Sequence, residues 1–316
     1  MIENEEDLPS HLNPDHPDFE EPEEMDREHE HKIHIFTAEA LRQQTNLRPY
    51  STIVGGRAPT QPYTPQVGRK VGVALREFLG VTPIKMKIED QKPGEEEEKK
   101  EIKPFNRGSI LTGGSPGVGV DVYAGIANYC RKCGDIDRFF ILVPETYDYG
   151  CHESRIADYK VIASLLPRGE LHDFHAGKDP LERDKILGEI SDVMIAVNGS
   201  EGTMEEVLVA LQNGNPVITL PYTGGVAYLL AEAGQGRIPD EGELIFDTGD
   251  MLEKARPQLE QILESTDYRN LLHVADSTEE MIKKLEGLYG NLVLQVKRDE
   301  ENLRISRRTQ EPTYVE

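Results

Sequence analysis

The chain is poor in the residues that build disulfide frameworks and membrane spans. Its 316 residues include no Trp and three Cys. Three thiols in a chain of this length do not suggest a disulfide framework, and we interpret them as a sign of the reducing cytoplasm. No run of about 18 apolar residues occurs, so we expect no transmembrane helix. The acidic N-terminus has no apolar core, which argues against a signal peptide.

Basic residues are also scarce, and the formal net charge is −23. Much of this charge lies in residues 1–32, which hold 13 acidic and 2 basic residues, and in residues 89–101, which hold 7 and 3. Direct nucleic-acid binding needs basic surface, so we predict none. We interpret the acidic segments as solubilising tails, and docking on a basic partner is the alternative.

Composition divides the chain into three parts. Residues 1–50 are predicted to be an acidic, largely disordered arm. Residues 51–250 are predicted to form one nucleotide-binding domain with an acidic insertion at about 82–106, and residues 251–316 to form C-terminal helices and a tail. Cys130 and Cys133 have the spacing of a metal or redox pair, and histidines cluster in the arm. No second ligand pair accompanies the cysteines, so we predict no metal site and no cofactor.

Short apolar runs alternate with helical patterns through most of the chain. Continuous apolar strands between helices are typical of a parallel sheet covered on both faces. The predicted fold class is therefore α/β, a Rossmann-like open parallel sheet with helices on both faces. The predicted strands are 51–56, 109–112, 139–143, 193–197, 216–220 and 242–246. The predicted helices are 67–79, 120–132, 184–190, 204–212, 226–233, 250–264 and 278–288. Residues 159–165 are either a further helix or part of a connection that carries a strand.

Glycine-rich turns follow several of these strands. Ligands of open α/β sheets bind at the carboxyl ends of the strands, where free backbone N–H groups favour phosphate. Two glycine loops at this edge indicate a bound nucleotide more than plain turns. We also expect Thr203 to cap its helix and to donate its hydroxyl to a phosphate. The predicted substrate- or phosphate-binding residues are Gly55, Gly56, Arg57, Gly113, Gly114, Ser115, Gly117, Gly199, Ser200, Glu201, Gly202, Thr203, Gly224 and Gly225.

Two charged residues flank the strand 193–197. Arg183 lies on the helix before it, and Glu206 lies on the helix after the glycine turn. A surface salt bridge and a favourable interaction with a helix N-terminus are their ordinary roles. Their placement around one crevice favours a functional role for both.

The spacing from Arg183 to the loop at 198–206 resembles the LOG (Lonely Guy) family, also called lysine-decarboxylase-like, within the SLOG superfamily. That family has an Arg-Lys pair, a strand and then a Pro-Gly-Gly-x-Gly-Thr-x-x-Glu motif, and residues 198–206 read NGSEGTMEE. Residues 113–119, GGSPGVG, and residues 55–57, GGR, are similar to its other loops. The resemblance covers about residues 51–235.

The resemblance implies a nucleoside 5′-monophosphate phosphoribohydrolase and a homodimer. It implies that Arg183 and Glu206 are the catalytic residues, and its spacing selects Glu206 over Glu205. Glu206 would stabilise the positive charge that builds on the ribose. Arg183 would anchor the ligand or assist departure of the base.

Three positions depart from the family pattern. Asn198 replaces the proline of the motif, Ser200 replaces its second glycine, and Asp184 stands where a lysine usually follows the arginine. These departures fit the wider SLOG superfamily as well. The alternative is therefore a protein that binds a nucleotide without turnover, such as a sensor of an ADP-ribose-like molecule, or a molybdenum-cofactor carrier.

Overall fold

The fold is described from a computed structural model at residues 35–44, 47–57, 59–81, 108–114, 117–133, 139–144, 160, 172–241, 244 and 250–310. The strands are β1 Ile35–Phe36, β2 Tyr50–Gly55, β3 Ser109–Thr112, β4 Phe139–Val143, β5 His172–Ala176, β6 Val193–Val197, β7 Val217–Leu220 and β8 Leu272–Val274. The helices are α1 Ala38–Arg42, α2 Pro65–Val81, α3 Val118–Cys133, α4 Pro180–Ile190, α5 Glu201–Gln212, α6 Gly225–Gly234, α7 Met251–Glu264, α8 Thr266–Leu271 and α9 Thr278–Gln310.

The eight strands form one parallel sheet in the order β1-β5-β4-β3-β2-β6-β7-β8. This architecture confirms the predicted α/β, Rossmann-like fold. The chain leaves the central strand β2 towards one edge through β3, β4 and β5, and then returns to β6 on the other side of β2. The order of the strands therefore reverses between β2 and β6, where sheets of this kind have a ligand-binding crevice. Gly55 and Val197 are paired at the carboxyl ends of these two strands.

Each face of the sheet carries its own apolar core, because successive side chains of a strand point to opposite faces. Ile53 and Ile195 face the core that α2, α3 and α9 cover. Val54 and Ala196 face the core that α1, α4, α5, α6 and α7 cover. In the described part of the chain, no helix is long and apolar enough to cross a membrane.

The strands 109–112, 139–143 and 193–197 have their predicted bounds. Three helices differ from the prediction by more than two residues. Helix α4 begins at Pro180, four residues early, because Asp179 caps it there. The helix after the glycine turn begins at Glu201, three residues early, because the turn itself is shorter than expected. Helix α9 continues to Gln310 through a polar segment, since Glu, Lys and Arg have good helix propensity even where no apolar periodicity is present.

Segments assigned by sequence to the N-terminal arm and the C-terminal part belong to the same folded unit, which spans Ile35–Glu316. Strand β1 pairs with β5, and β8 pairs with β7 at the other edge. Leu41 and Tyr289 are buried in the two cores. Strands β1, β5 and β8 escape prediction because they are short or polar, and backbone pairing does not require an apolar run. Residues 1–34, the insertion at 82–106 and most of the predicted elements 159–165 and 242–246 lie outside the described residues.

Candidate functional site

The loops that follow β2, β3 and β6 meet at the reversal point of the sheet. The Val118 N–H donates to the Gly56 carbonyl over 3.2 Å, which links the start of α3 to the loop after β2. A Cβ at Gly117 would lie 2.5 Å from the carbonyl oxygens of both Gly56 and Arg57. Only a residue without a side chain fits so close to another backbone. The glycines therefore bring the two loops into direct backbone contact.

The loop after β6 is a tight turn that releases the backbone into α5. Gly199 has a φ of 103°, and a Cβ there would lie 2.7 Å from Cγ2 of Thr203. Ser200 is the N-cap of α5 and makes no side-chain capping hydrogen bond, whereas Thr203 is buried within the first turn. Thr203 therefore does not cap the helix as predicted, because it lies in the first turn and Ser200 occupies the N-cap position. The first N–H groups of α5 have no intrahelical acceptor and can bind an anion.

Asn198 holds this turn in place through hydrogen bonds of its side chain and of its own backbone N–H. Its Oδ1 accepts from the Thr60 N–H at 3.3 Å, and its Nδ2 donates to the carbonyls of Thr60 at 3.1 Å and Thr223 at 2.6 Å. Its own N–H donates to Thr223 Oγ1 at 2.6 Å. It adopts a φ of 55°, which proline cannot adopt and which asparagine tolerates well. The residue that breaks the family motif thus joins the loops after β2, β6 and β7.

Gly224 and Gly225 bring the start of α6 into contact with the backbone of the same turn. The Val226 N–H donates to the Gly199 carbonyl at 3.2 Å, and the Ala227 N–H donates to the Asn198 carbonyl at 2.8 Å. A Cβ at Gly225 would lie 2.6 Å from the Gly199 oxygen. The first N–H groups of α6 are therefore directed at protein carbonyls, unlike those of α5.

Arg183 crosses from α4 to the loop after β3. Its guanidinium lies against Gly113, where a Cβ would be 1.8 Å from Nη1, a distance that no side chain tolerates. Gly177 makes a similar close approach, since a Cβ there would lie 2.6 Å from the Arg183 backbone nitrogen. Asp179 caps α4 by accepting from the Glu182 N–H at 2.8 Å, which fixes the start of the helix. Arg183 is 5% exposed as a result.

The Arg183 guanidinium bridges two carboxyl groups. Its Nη1 donates to Glu206 Oε1 at 3.1 Å, and its Nη2 lies 2.8 Å from Asp184 Oδ1. The carboxyls of Asp184 and Glu206 therefore meet on one guanidinium, and each perturbs the pKa of the other. Within the described residues, the buried Nε of Arg183 has no hydrogen-bond partner. We refer to Arg183, Asp184 and Glu206 as the carboxyl-edge cluster.

Both carboxyls of this cluster hold protons more tightly than usual. Burial raises the pKa of Glu206 well above its ordinary value, and the charge of Asp184 adds to the rise while Arg183 opposes it. Burial also raises the pKa of Asp184, and the charges of Arg183 and Arg57 and the neighbouring Glu206 carboxyl oppose the rise. Glu205 is less buried, and burial followed by the charge of Asp184 raises its pKa. Its side chain makes no ion pair with Arg183 in the structure as described.

The structure brings most of the predicted site residues to one edge of the sheet. Arg57, Ser200 and Glu201 are exposed there, Gly202 lies beside Asp184, and Ser115 lies outside the described residues. No group of three or more His, Cys, Asp or Glu side chains among the described residues is arranged to hold a metal ion.

Asp184 is the site residue that sequence reasoning missed. It follows Arg183 directly, and neighbouring residues of a helix point about 100° apart, so no helical spacing places both against Glu206. Its departure from the family lysine was the available signal. The acid in that place changes a basic pair into a basic and acidic pair.

Comparison with known proteins identifies the part of the chain that carries the carboxyl-edge cluster. Residues 174–242 match the sequence model of the SLOG cluster4 family, which confirms the predicted resemblance to the SLOG superfamily. A solved structure described as the X-ray structure of TM1055 has 18% sequence identity and a TM-score of 0.41, and the match covers 76% of this chain and 99% of that chain. None of the curated proteins matches the chain significantly.

Proposed function

We propose that this SLOG-like chain hydrolyses the N-glycosidic bond of a nucleoside 5′-monophosphate at the carboxyl-edge cluster. The match to a SLOG family supports a nucleotide-related role. The observation that carries the proposal is the pairing of Arg183 with Glu206 beside an uncapped helix N-terminus. Together they offer donors for a phosphate and a carboxyl group for a developing cation.

The N-terminus of α5 is the position that suits the phosphate of the proposed substrate. The N–H groups of Glu201, Gly202 and Thr203 lie before the first intrahelical hydrogen bond, which Met204 donates to Ser200. The partial positive charge of a helix N-terminus favours a bound anion. Arg57 is exposed at the neighbouring loop and adds a full positive charge. We assign the phosphate to this end of the crevice, as the sequence predicts.

The sugar would then lie towards Glu206, since both the α5 N-terminus and Glu206 belong to the same helix. Cleavage of a C–N glycosidic bond builds positive charge on the ribose, which a nearby carboxylate stabilises. Arg183 holds one Glu206 oxygen, so the orientation of the carboxyl is set before a ligand arrives. Glu205 lies outside this ion pair, and the geometry therefore favours Glu206 as the reacting acid.

The second candidate function is nucleotide binding without turnover, as in a sensor of an ADP-ribose-like molecule or a carrier of a phosphorylated cofactor. The observation that favours it is the burial of Glu206, which is 7% exposed and already bound by Arg183. A buried carboxyl that Arg183 already binds has less freedom to contact a sugar. The glycine loops and the α5 N-terminus serve this function equally well.

Chromatographic detection of released base from a panel of nucleoside 5′-monophosphates, with NAD and ADP-ribose included, tests the proposal. We expect base and ribose 5-phosphate from at least one nucleotide. Glu206→Gln keeps the size of the side chain and removes its acid, and we expect base release to fall by roughly 100-fold or more. Glu205→Gln is the matched control and should retain most of the activity.

Two results would overturn the hydrolase. Full activity in Glu206→Gln would exclude the mechanism. Stable retention of every ligand that binds, with no base released, would instead support the binding function.

A further inference from the structure

Asp184 has no place in a mechanism that uses Glu206 as a lone carboxylate. We propose that Asp184 and Glu206 form a proton-sharing pair in which Asp184 carries the proton between the buried Glu206 and the ligand. This inference rests on the proposed hydrolase for its chemistry, while the sharing of the proton is a property of the ligand-free protein.

The first support is the geometry of the three side chains. One guanidinium contacts both carboxyls, with 3.1 Å from Nη1 to Glu206 Oε1 and 2.8 Å from Nη2 to Asp184 Oδ1. Two buried carboxyls that share one guanidinium cannot both be ionised without leaving an uncompensated negative charge, so the arrangement favours one proton held between them. One shared proton leaves a single negative charge on the pair and makes the whole cluster neutral with Arg183. A neutral cluster is the arrangement that a buried site favours.

The second support is the depth of the two acids. Glu206 lies on the inner side of α5, and the guanidinium that it contacts is 5% exposed and has an unpartnered buried Nε. Asp184 lies nearer the surface, and its Oδ2 is 3.7 Å from the position of a Cβ at Gly202. It also lines a cavity of about 380 Å³ together with Lys185 and Glu205. Asp184 is therefore the more accessible of the two acids, with 14% of its side chain exposed against 9% for Glu206.

The shared proton completes the atom balance of the reaction. As the bond from C1′ to the base nitrogen breaks, its two electrons stay with the base. The carboxyl pair of Asp184 and Glu206 gives its shared proton to that base. The ionised pair then faces the positive ribose, and a water oxygen bonds to C1′. One proton of that water returns to the carboxyl pair. The products are the free base and ribose 5-phosphate, and no other reactant is required.

Other charges also face the pair and must be separated from the effect of the partner. Arg57 and Asp179 act on Asp184 from the loop after β2 and from the start of α4. Glu205 acts on Glu206 from the same helix. Glu201 and Lys185 act on Glu205 in turn. Glu205→Gln is therefore the matched control for Asp184→Asn, since each variant removes one carboxylate close to Glu206.

Infrared titration of ligand-free protein with 13C-labelled Asp and Glu carboxyls measures the sharing directly. We expect the wild type to show a protonated carboxyl that persists above the ordinary carboxyl range. Its titration midpoint should move to lower pH by at least one unit, a tenfold change in proton affinity, in Asp184→Asn. The shift in Glu205→Gln should be clearly smaller. Glu206→Gln should remove the protonated signal.

An unchanged midpoint in Asp184→Asn, or equal shifts in the two variants, would overturn the shared proton. Thermal unfolding first establishes that each variant is folded. If Asp184→Asn does not fold, Asp184→Ala removes the same charge, and the same shift is required of it.

The pH dependence of base release tests the second half of the inference. In Asp184→Asn we expect kcat to fall by roughly 100-fold with KM changed less than about threefold, and the alkaline limb of the rate profile to move. A rise in KM with kcat unchanged would assign Asp184 to ligand binding and overturn the inference. If the wild type shares the proton but releases no base, the proposed hydrolase function is excluded and the proposal of a shared proton is retained.

Discussion

Two buried arginines at opposite ends of the strands each contact two carboxyl groups, and they do so in different ways. At the amino end of β2, Arg48 donates to both oxygens of Asp192 through Nε and Nη2, and to Asp299 through Nη1 at 2.7 Å. Asp192 also accepts the Tyr50 N–H at 2.7 Å. At the carboxyl end, Arg183 meets Asp184 and Glu206 with one nitrogen each, and its Nε stays unpartnered among the described residues.

This contrast indicates that the Arg48 ion pairs are structural and that the carboxyl-edge cluster is a candidate functional site. Burial disfavours the charge of Arg48, yet its hydrogen bonds to Asp192 raise its pKa above the ordinary value, so the positive charge is held firmly. In the carboxyl-edge cluster the acids are the perturbed groups, because burial raises the pKa values of both Asp184 and Glu206. Perturbed acids beside an incompletely bonded arginine are typical of functional sites. The saturated Arg48 cluster instead joins the start of β2 to β6 and α9.

The largest effect is expected from breaking the buried ion pair of Arg48 and Asp192. Asp192→Asn leaves Arg48 buried with one weaker partner, and we expect the free energy of unfolding to fall by about 3 kcal/mol. When both are measured just below pH 4.5, where the Glu206 carboxyl holds its proton, Glu206→Gln should change it by less than about 1 kcal/mol, because a protonated carboxyl resembles an amide. Urea unfolding measures both. Equal losses in the two variants would remove the distinction between the clusters.

Asp299→Asn is the control for that experiment. Asp299 is the half-exposed partner of Arg48, with 38% of its side chain accessible. Exposed ion pairs contribute little, and we expect a loss of about 0.5 kcal/mol.

A smaller effect tests how strictly Arg183 is held. Gly113→Ala places a Cβ where Nη1 now lies, so the guanidinium must move away from Glu206. We expect stability to fall by about 2 kcal/mol and base release to fall with it. Gly287→Ala is the matched control, because a Cβ at this position of α9 meets no atom within 4 Å. That variant should gain about 0.5 kcal/mol, since alanine favours a helix over glycine. Equal stability of the two variants in urea would show that Arg183 is free to move.

The smallest effect is the pH dependence of stability that Glu206 contributes. Its folded pKa lies above the unfolded value near 4.5, so the folded state binds the proton more tightly. This contribution is fully present below pH 4.5 and is lost as the pH rises through the folded pKa. Relative to Glu206→Gln, the wild type should become steadily less stable to urea over that range. A constant difference between the two proteins from pH 4 to pH 8 would contradict the raised pKa.

The sequence predicted the sheet well and the site in part, for different physical reasons. Runs such as 193–197 are apolar on every residue because both faces of the strand are covered, and this signal is local. The contact of Arg183 with Gly113 joins residues 70 positions apart, and only the resemblance to a family suggested that the arginine mattered. Asn198 was interpreted as a break in the motif, although asparagine before glycine at a strand end is a known signal for a positive φ. Asp184 and the Arg48 cluster depend on side-chain directions across several elements, which no periodicity records.

Helix α9 has a consequence for how this architecture can be shared between proteins. The segment 174–242 supplies β6 and β7, and one face of both strands is covered by α2, α3 and α9, all of which lie outside it. Tyr289 of α9 packs edge-on against Phe78 of α2, with ring centroids 5.1 Å apart. The recognisable segment is therefore not a transferable module. Moving the glycine loops alone would expose an apolar face of β6 and β7, so this segment depends on the distant C-terminal helix for a covered core.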